Sequence, residues 1–297
     1  SIRQAGLNPH LFHMANIRNQ CSWVHSHDWE AATEKAKELV RGAVAKAARL
    51  SPLYMTEIAV EKGVLIIGGG AAGMTAALTL ADQGFPVHLV ERAERLGGSL
   101  WDLMHTLSWD TDEGGLDWHD TQKFLRETIA QVESHAQITV HLQSELLESG
   151  GFKGNFTSRL ETPDGEIEVR HGATILATGG VEYRGPEYGY GSDPRILTQQ
   201  EFEARLNKGE EIPDSVVMIQ CVGPAERYCS RICCTSAMKN ALHLKQLNPD
   251  AQVTVIYRDV RTYGFKERLY QEARRQGVLF VQYDFDRKPE VGVSGSR

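Results

Sequence analysis

The chain has 297 residues, of which 41% are hydrophobic and 24% charged, and its formal net charge is −7. That length allows one large or two ordinary domains around a sizeable core, and the balance is that of a globular protein in water. The acidic excess without a basic stripe speaks against a nucleic-acid or anionic-membrane partner, and no apolar run is long enough to cross a membrane.

The opening residues, Ser1 to Gly6, lack the basic-then-apolar plan of a signal peptide, so a cytoplasmic location is the expectation. Residues 1–60 read as an N-terminal arm. Its first 27 residues are irregular, and Ala32, Ala36, Leu39, Ala43, Ala47 and Leu50 then recur at helical spacing from Trp29, with Asp28 as N-cap and Pro52 as stop. His10, His13, His25 and His27 lie near Cys21, where polar loop histidines are a simpler reading than a metal site.

Residues 61–210 read as a dinucleotide-binding domain. Val64–Ile67 is a continuous apolar strand of the buried parallel kind. A helix is predicted over Met74–Gln83 and a second strand over Val87–Val90, which completes a βαβ unit. Between strand and helix stands Gly68-Gly69-Gly70-Ala71-Ala72-Gly73, a G-x-G-x-x-G in the context the motif requires. Gly68 permits the turn, Gly70 lets backbone approach a diphosphate, and Gly73 lets helix and strand pack closely. The helix start, Ala71 and Ala72 included, offers free N–H groups to phosphate. Glu91 ends the second strand, where a carboxylate accepts from ribose hydroxyls.

Further along, residues 97–118 read as a loop rich in Gly and Trp, His119–Ser134 as a helix and Ile138–Leu142 as a strand. Trp101, Trp109 and Trp118 are weighed as flavin shields, with core filling the plainer role. Phe156–Val169 reads as a hairpin turning at Pro163-Asp164-Gly165, and Ala173–Ala177 as a strand. Thr198-Gln199-Gln200-Glu201 has the form of a capping box opening a helix to Leu206.

Residues 211–291 read as a second βαβ domain, with strands at Val216–Gln220, Val253–Tyr257 and Val278–Gln282 and helices at Thr235–Leu247 and Lys266–Gln276. Residues 292–297 read as a disordered tail. Where a phosphate loop would follow the first of these strands, the chain instead runs from Cys221 through Cys229 to Cys233 and Cys234, a C-x7-C-x3-C-C pattern. Four soft thiolates so close suit an iron–sulfur cluster or zinc. A redox disulfide and a set of buried structural cysteines are the other readings, and adjacent cysteines are unusual for zinc. Arg227 and Arg231 would offset negative charge. Arg258 stands where an acid often ends a strand, and a surface charge is a plainer role for it than 2′-phosphate binding.

Two resemblances follow from these motifs. Glu91-Arg92 with Gly97-Gly98, and the strand end Ala177-Thr178-Gly179, resemble the extensions of the two-dinucleotide-binding flavoproteins, the thioredoxin-reductase class. That implies an α/β Rossmann-type fold, with FAD at the first site and an incomplete second domain. Asn16-Ile17-Arg18-Asn19-Gln20-Cys21-Ser22-Trp23-Val24-His25, Ala31–Lys37 and the Cys221–Cys234 stretch with Lys239-Asn240-Ala241-Leu242 resemble the A-subunit family of heterodisulfide reductase over nearly the whole chain. The resemblance implies an FAD flavoprotein with a [4Fe-4S] cluster on Cys221, Cys229, Cys233 and Cys234. It implies electron transfer with partner B and C subunits and with an electron donor of hydrogenase or dehydrogenase type, with a homodimer as a further assembly. The family's upstream cysteines, its ferredoxin-like insert and the closing part of its FAD domain have no counterpart here, so the chain reads as a truncated form. Two other functions compete. An NAD(P)H-dependent disulfide reductase is disfavoured by the missing C-x2-C pair and second phosphate loop. A cofactor-less scaffold would retain neither flavin nor iron.

Overall fold

The computed structural model describes residues 2–209 and 212–292. It divides into a unit of residues Ser1–Ala59 and a larger one of Val60–Arg297. In the first, short turns at Pro9–Leu11 and Arg18–Ser22 precede helix α1 (Trp29–Ala47). Asp28 caps α1 by accepting from the Ala31 N–H, as the sequence predicts. Cys21 is buried, and its thiol donates to the carbonyl of Ala32.

The larger unit holds two parallel sheets. Strands β1 (Val64–Ile67) and β2 (Val87–Val90) flank helix α2 (Ala71–Ala81) in sequence and pair in parallel, Val64 opposite Val87. Helix α2 starts three residues before the predicted point, because the chain turns helical directly after an extended Gly70.

The predicted loop over 97–118 is instead a short helical turn at Gly98–Asp102 and an antiparallel hairpin, β3 (His105–Asp110) with β4 (Gly115–Asp120). Leu107, Leu116 and Trp118 of this hairpin pack on the core of the second sheet. Trp101 joins the first core and donates its indole N–H to the Leu96 carbonyl. Both are thus core-packing tryptophans.

Helix α3 (Thr121–Ser134) leads into β5 (Ile138–His141). A meander of β6 (Glu145–Phe152), β7 (Asn155–Thr162) and β8 (Gly165–His171) follows. Its second turn is the predicted Pro-Asp-Gly; its first strand is glycine-rich and acquires its form by pairing with β7. Strand β9 (Ala173–Leu176) completes the first sheet in the order β5-β2-β1-β9. Leu65, Ile66, Leu89 and Met74 are wholly buried between α2, α3 and the meander.

Helix α4 (Gln199–Lys208) begins in the predicted capping box, with the Thr198 hydroxyl accepting from the Glu201 N–H and the Glu201 carboxylate from the Thr198 N–H. The second sheet then forms from β10 (Ser215–Ile219), β11 (Gln252–Tyr257) and β12 (Leu279–Gln282), all parallel. Helices α5 (Ile232–Leu247) and α6 (Glu267–Arg275) connect them. Helix α5 begins at Ile232 rather than Thr235, so Cys233 and Cys234 lie in its first turn. Of the expected tail, Gly292 is described, and residues 293–297 lie outside the described residues. Two parallel α/β sheets in one chain make this a Rossmann-type architecture.

Candidate functional site

The glycine turn sits at the carboxyl edge of the first sheet, between β1 and α2. Gly68 has φ +108°, and a side chain there would collide with the Ala177 carbonyl. Gly73 approaches the Gly68 carbonyl so closely that a Cβ would overlap it. These two positions require glycine for packing. Gly70 differs, since a Cβ built there meets only open space. Its freedom is therefore toward whatever approaches from outside the fold.

Gly70 caps α2 with no side-chain hydrogen bond, so the first N–H groups of the helix, on Ala71, Ala72 and Gly73, have no cap. Uncapped N–H groups and the positive end of the helix dipole suit a diphosphate. Glu91 is buried, and its carboxylate accepts from Gly69 N–H at 2.7 Å and Ala93 N–H at 2.9 Å. It thus clamps the glycine turn from below, and each oxygen keeps a lone pair for a further donor. Gly97 N–H donates to the Gly69 carbonyl at 2.8 Å, and Gly98 lies against Gly70. Gly97 has φ +116° and is buried, with no room for a side chain beside Trp101 and Leu125.

The structure therefore brings Gly68, Gly70, Gly73, Glu91, Gly97, Gly98, Ala177 and Thr178 to one edge. Thr178 and Gly179 are exposed past β9, and Arg92 points to solvent. An uncapped helix start facing open space beside a buried carboxylate fits a dinucleotide such as FAD.

The cysteines occupy the matching edge of the second sheet. All are free. Cys221 and Cys234 are buried, and Cys229 and Cys233 half-buried. Cys221 sits at φ +63°, where a non-glycine residue stores roughly 1–3 kcal/mol of strain, and Arg231 at φ +65° turns the chain into α5. Arg261 N–H donates to the Cys234 sulfur at 3.5 Å. A hydrogen bond from the Cys233 thiol, helped by this amide and Arg261, lowers the Cys234 pKa to about 6 against the effect of burial. The same bond, then burial and the neighbouring Cys234, Cys221 and Cys229, push Cys233 up. Among the described residues no three His, Cys, Asp or Glu side chains are arranged to hold a metal ion. Four thiols are donor types that would suit a cluster or zinc, and the sulfurs are not gathered about one point.

Next in sequence to Cys221, Cys234 and Arg261 stand residues with buried polar atoms that have no partner among the described residues. They are the Gln220 side-chain amide, Nε2 and Oε1 alike, and the hydroxyls of Thr235 and Thr262. Gln220 and Thr262 are 3% and 1% exposed. Leaving such a group buried and unpaired costs roughly 1–3 kcal/mol. Sequence reasoning passed over all three, and their signal is adjacency: each stands next to Cys221, Cys234 or Arg261. The residue types suit a sulfur-rich group, while the arrangement of the sulfurs does not gather one.

Arg258 donates to the Glu226 carbonyl at 3.0 Å and lies over the Phe285 ring, so it braces the cysteine loop against the end of β11. Arg231 turns to the Tyr263 hydroxyl and Arg227 to solvent.

Residues 63–101 match the FAD binding domain family. The chain is 32% identical, over 386 aligned residues, to the first iron-sulfur A subunit of CoB–CoM heterodisulfide reductase in Methanopyrus kandleri, covering 95% of this chain and 56% of that protein. It is 31% identical to the A subunit of the ferredoxin/F420H2-dependent CoB–CoM heterodisulfide reductase of Methanosarcina acetivorans, covering 95% and 47%. The chain thus spans about half the length of the curated relatives it matches. Among solved structures, the bacillithiol disulfide reductase of Bacillus cereus aligns at 17% identity over 74% of this chain and 67% of its own, with a TM-score of 0.46. Over 95% of its length this chain is similar to the A subunits of heterodisulfide reductases.

Proposed function

We propose that the chain is the flavin- and cluster-binding part of an electron-transfer oxidoreductase of heterodisulfide reductase type. The observation that carries this reading is the uncapped glycine turn facing open space, paired in one chain with four free cysteines where a second phosphate loop would stand.

Residues 61–210 are the FAD domain in this reading. The N–H groups of Ala71, Ala72 and Gly73 hold the diphosphate and Glu91 the ribose hydroxyls. Gly97, Gly98 and the Ala177–Gly179 strand end border the flavin, with Arg92 at the rim. Residues 211–291 are the cluster domain, with Cys221, Cys229, Cys233 and Cys234 as ligands of one [4Fe-4S] cluster. The words "iron-sulfur" in the relative's name support that assignment. When bound, FAD would supply two-electron and the cluster one-electron redox chemistry. The protein's own work is to hold and orient both groups and to keep water from them. No side chain is needed as a proton donor or acceptor.

B and C subunits and an electron donor of hydrogenase or dehydrogenase type are the proposed partners, with a homodimer as a further assembly. Among the described residues no helix is long and apolar enough to cross a membrane, and a cytoplasmic site of action is part of the proposal.

The test is anaerobic reconstitution of the full chain with FAD, iron and sulfide. Stoichiometric flavin absorbance is expected, with a reducible [4Fe-4S] signal in electron paramagnetic resonance that disappears in Cys233→Ala. A chain that takes up neither group would overturn the reading. NADPH oxidation by iron-free protein would replace it with a disulfide reductase.

A further inference from the structure

The Gly97-Gly98 turn opens a strap that runs to Met104, just before β3. Its first end is tied to the nucleotide turn, with the Gly97 N–H donating to the Gly69 carbonyl at 2.8 Å and Gly98 lying against Gly70. Its middle is the helical turn Gly98–Asp102. Gln122 of α3 donates there to the carbonyls of Leu100 at 2.8 Å and Leu103 at 2.9 Å. Its far end is tied by the buried Glu203 of α4. One carboxylate oxygen accepts from the Met104 N–H at 2.9 Å and the His105 N–H at 3.3 Å. The other oxygen pairs with Lys239 of α5. One residue on from Lys239, Asn240 donates to the Gln199 carbonyl at 3.0 Å, which joins α5 to α4 a second time. The His105 and His243 rings, 5.7 Å apart, add a further contact between the end of the strap and α5.

An interior carboxylate and ammonium do little for stability as a pair, since apolar residues of the same volume often serve as well or better. What a fixed carboxylate supplies is position. Its oxygen meets two consecutive N–H groups, which no apolar residue can do. Those N–H groups end a strap whose beginning lies on the turn that faces the nucleotide. A strap held at both ends before a ligand arrives has less freedom left to lose on binding.

We infer that Glu203 is a positioning residue of the flavin site, holding the Gly97–Met104 strap in place for the nucleotide. The inference rests on the FAD reading given above. In this role Glu203 acts through the strap and touches no nucleotide itself. By linkage, a flavin that steadies the strap also steadies the contact between Glu203 and Lys239, so nucleotide on the first sheet is felt in α5 of the second.

The experiment is a flavin fluorescence titration of the full chain, with amide hydrogen exchange read at Met104, His105 and Lys239. Lys239→Met with Glu203→Leu removes both charges and the acceptor. It weakens FAD binding about tenfold, the scale of one hydrogen bond, and speeds exchange at Met104 and His105 in the flavin-free chain. Lys239→Met with Glu203→Gln also removes both charges but keeps an acceptor oxygen, and binds FAD within about threefold of the parent. FAD slows exchange at Lys239 in the parent, and the coupling is absent at residue 239 of the Leu variant. Glu203→Asp keeps the charge for Lys239 and draws the acceptor back by one methylene. It weakens binding in the same direction and guards against a folding failure in the Leu variant. Parent-like FAD affinity in Glu203→Asp, or in a folded Leu variant, overturns the role of Glu203. Equal weakening in the Leu and Gln variants makes the pair a packing element and overturns it as well. A parent chain that binds no FAD overturns the flavin reading and this role with it, and the titration of the parent alone reveals that outcome.

Discussion

Lys239 of α5 and Glu203 of α4 form an ion pair in the interior, with side chains only 7% and 4% exposed. Glu203 also accepts from the Met104 N–H at 2.9 Å, so one carboxylate joins the cysteine-bearing helix to the segment that follows the Gly97-Gly98 turn. Burial pulls the Lys239 pKa down, and the hydrogen bond and charge of Glu203 act against it. Removing one partner strands the other charge in a medium that solvates it poorly. Lys239→Met is therefore expected to destabilise the chain by about 3–5 kcal/mol in urea unfolding. The double variant Lys239→Met, Glu203→Gln should recover part of that loss. A single-variant loss below about 1 kcal/mol would contradict the buried pair.

The glycine turn separates packing from ligand approach. At Gly70 an added methyl meets open space, so Gly70→Ala should leave unfolding stability within about 1 kcal/mol of the parent. FAD affinity should nevertheless fall tenfold or more, about 1.4 kcal/mol, in a flavin fluorescence titration. Gly73→Ala meets the Gly68 carbonyl and should lose stability and flavin together. Equal affinity in Gly70→Ala and the parent would remove the diphosphate from this turn.

Glu91 organises the turn before any nucleotide arrives. Glu91→Ala deprives the Gly69 and Ala93 N–H groups of their acceptor, and should cost the flavin-free chain about 1–3 kcal/mol. Glu91→Gln keeps one acceptor oxygen and should cost less. Amide hydrogen exchange at Gly69 is the local readout; unchanged protection there in Glu91→Ala would refute the clamp.

His88 of β2 and His141 of β5 stack, with Nδ1 and Nε2 of the two rings 3.1 Å apart. One ring must donate and the other accept, so the contact needs at least one neutral imidazole. Burial, then His141 and His171, lower the His88 pKa, and burial lowers that of His141. A histidine whose folded pKa lies below its unfolded value of about 6.5 gives stability that is complete above that pH. That stability is lost as pH falls below about 6.5 toward the folded value. The loss is expected to reach about 1.4 kcal/mol per pH unit for each proton taken up. His88→Phe with His141→Leu should flatten this part of the profile, and a slope unchanged between about pH 6.5 and 5 would exclude the pair as its source.

Most of the elements were legible because their causes are local. The run Val64–Ile67, the glycines after it and the Thr198–Glu201 box each state a strand, a turn or a helix start within a few residues. The hairpin β3–β4 and strand β6 were not, since Glu145–Phe152 is polar and glycine-rich and becomes a strand only by pairing with β7. Helix α5 starts earlier than its pattern indicates because Arg231, at positive φ, turns the chain just ahead of Cys233.

The sequence by itself determined the two parallel α/β units, the diphosphate-type turn and the set of four thiols, since spacing along the chain is enough to specify each. Only tertiary structure decided that Gln220 is buried without a partner, that Lys239 meets Glu203, and that His88 meets His141. Those contacts join residues remote in sequence. Their energies come from exclusion of water, which no local pattern of residues records.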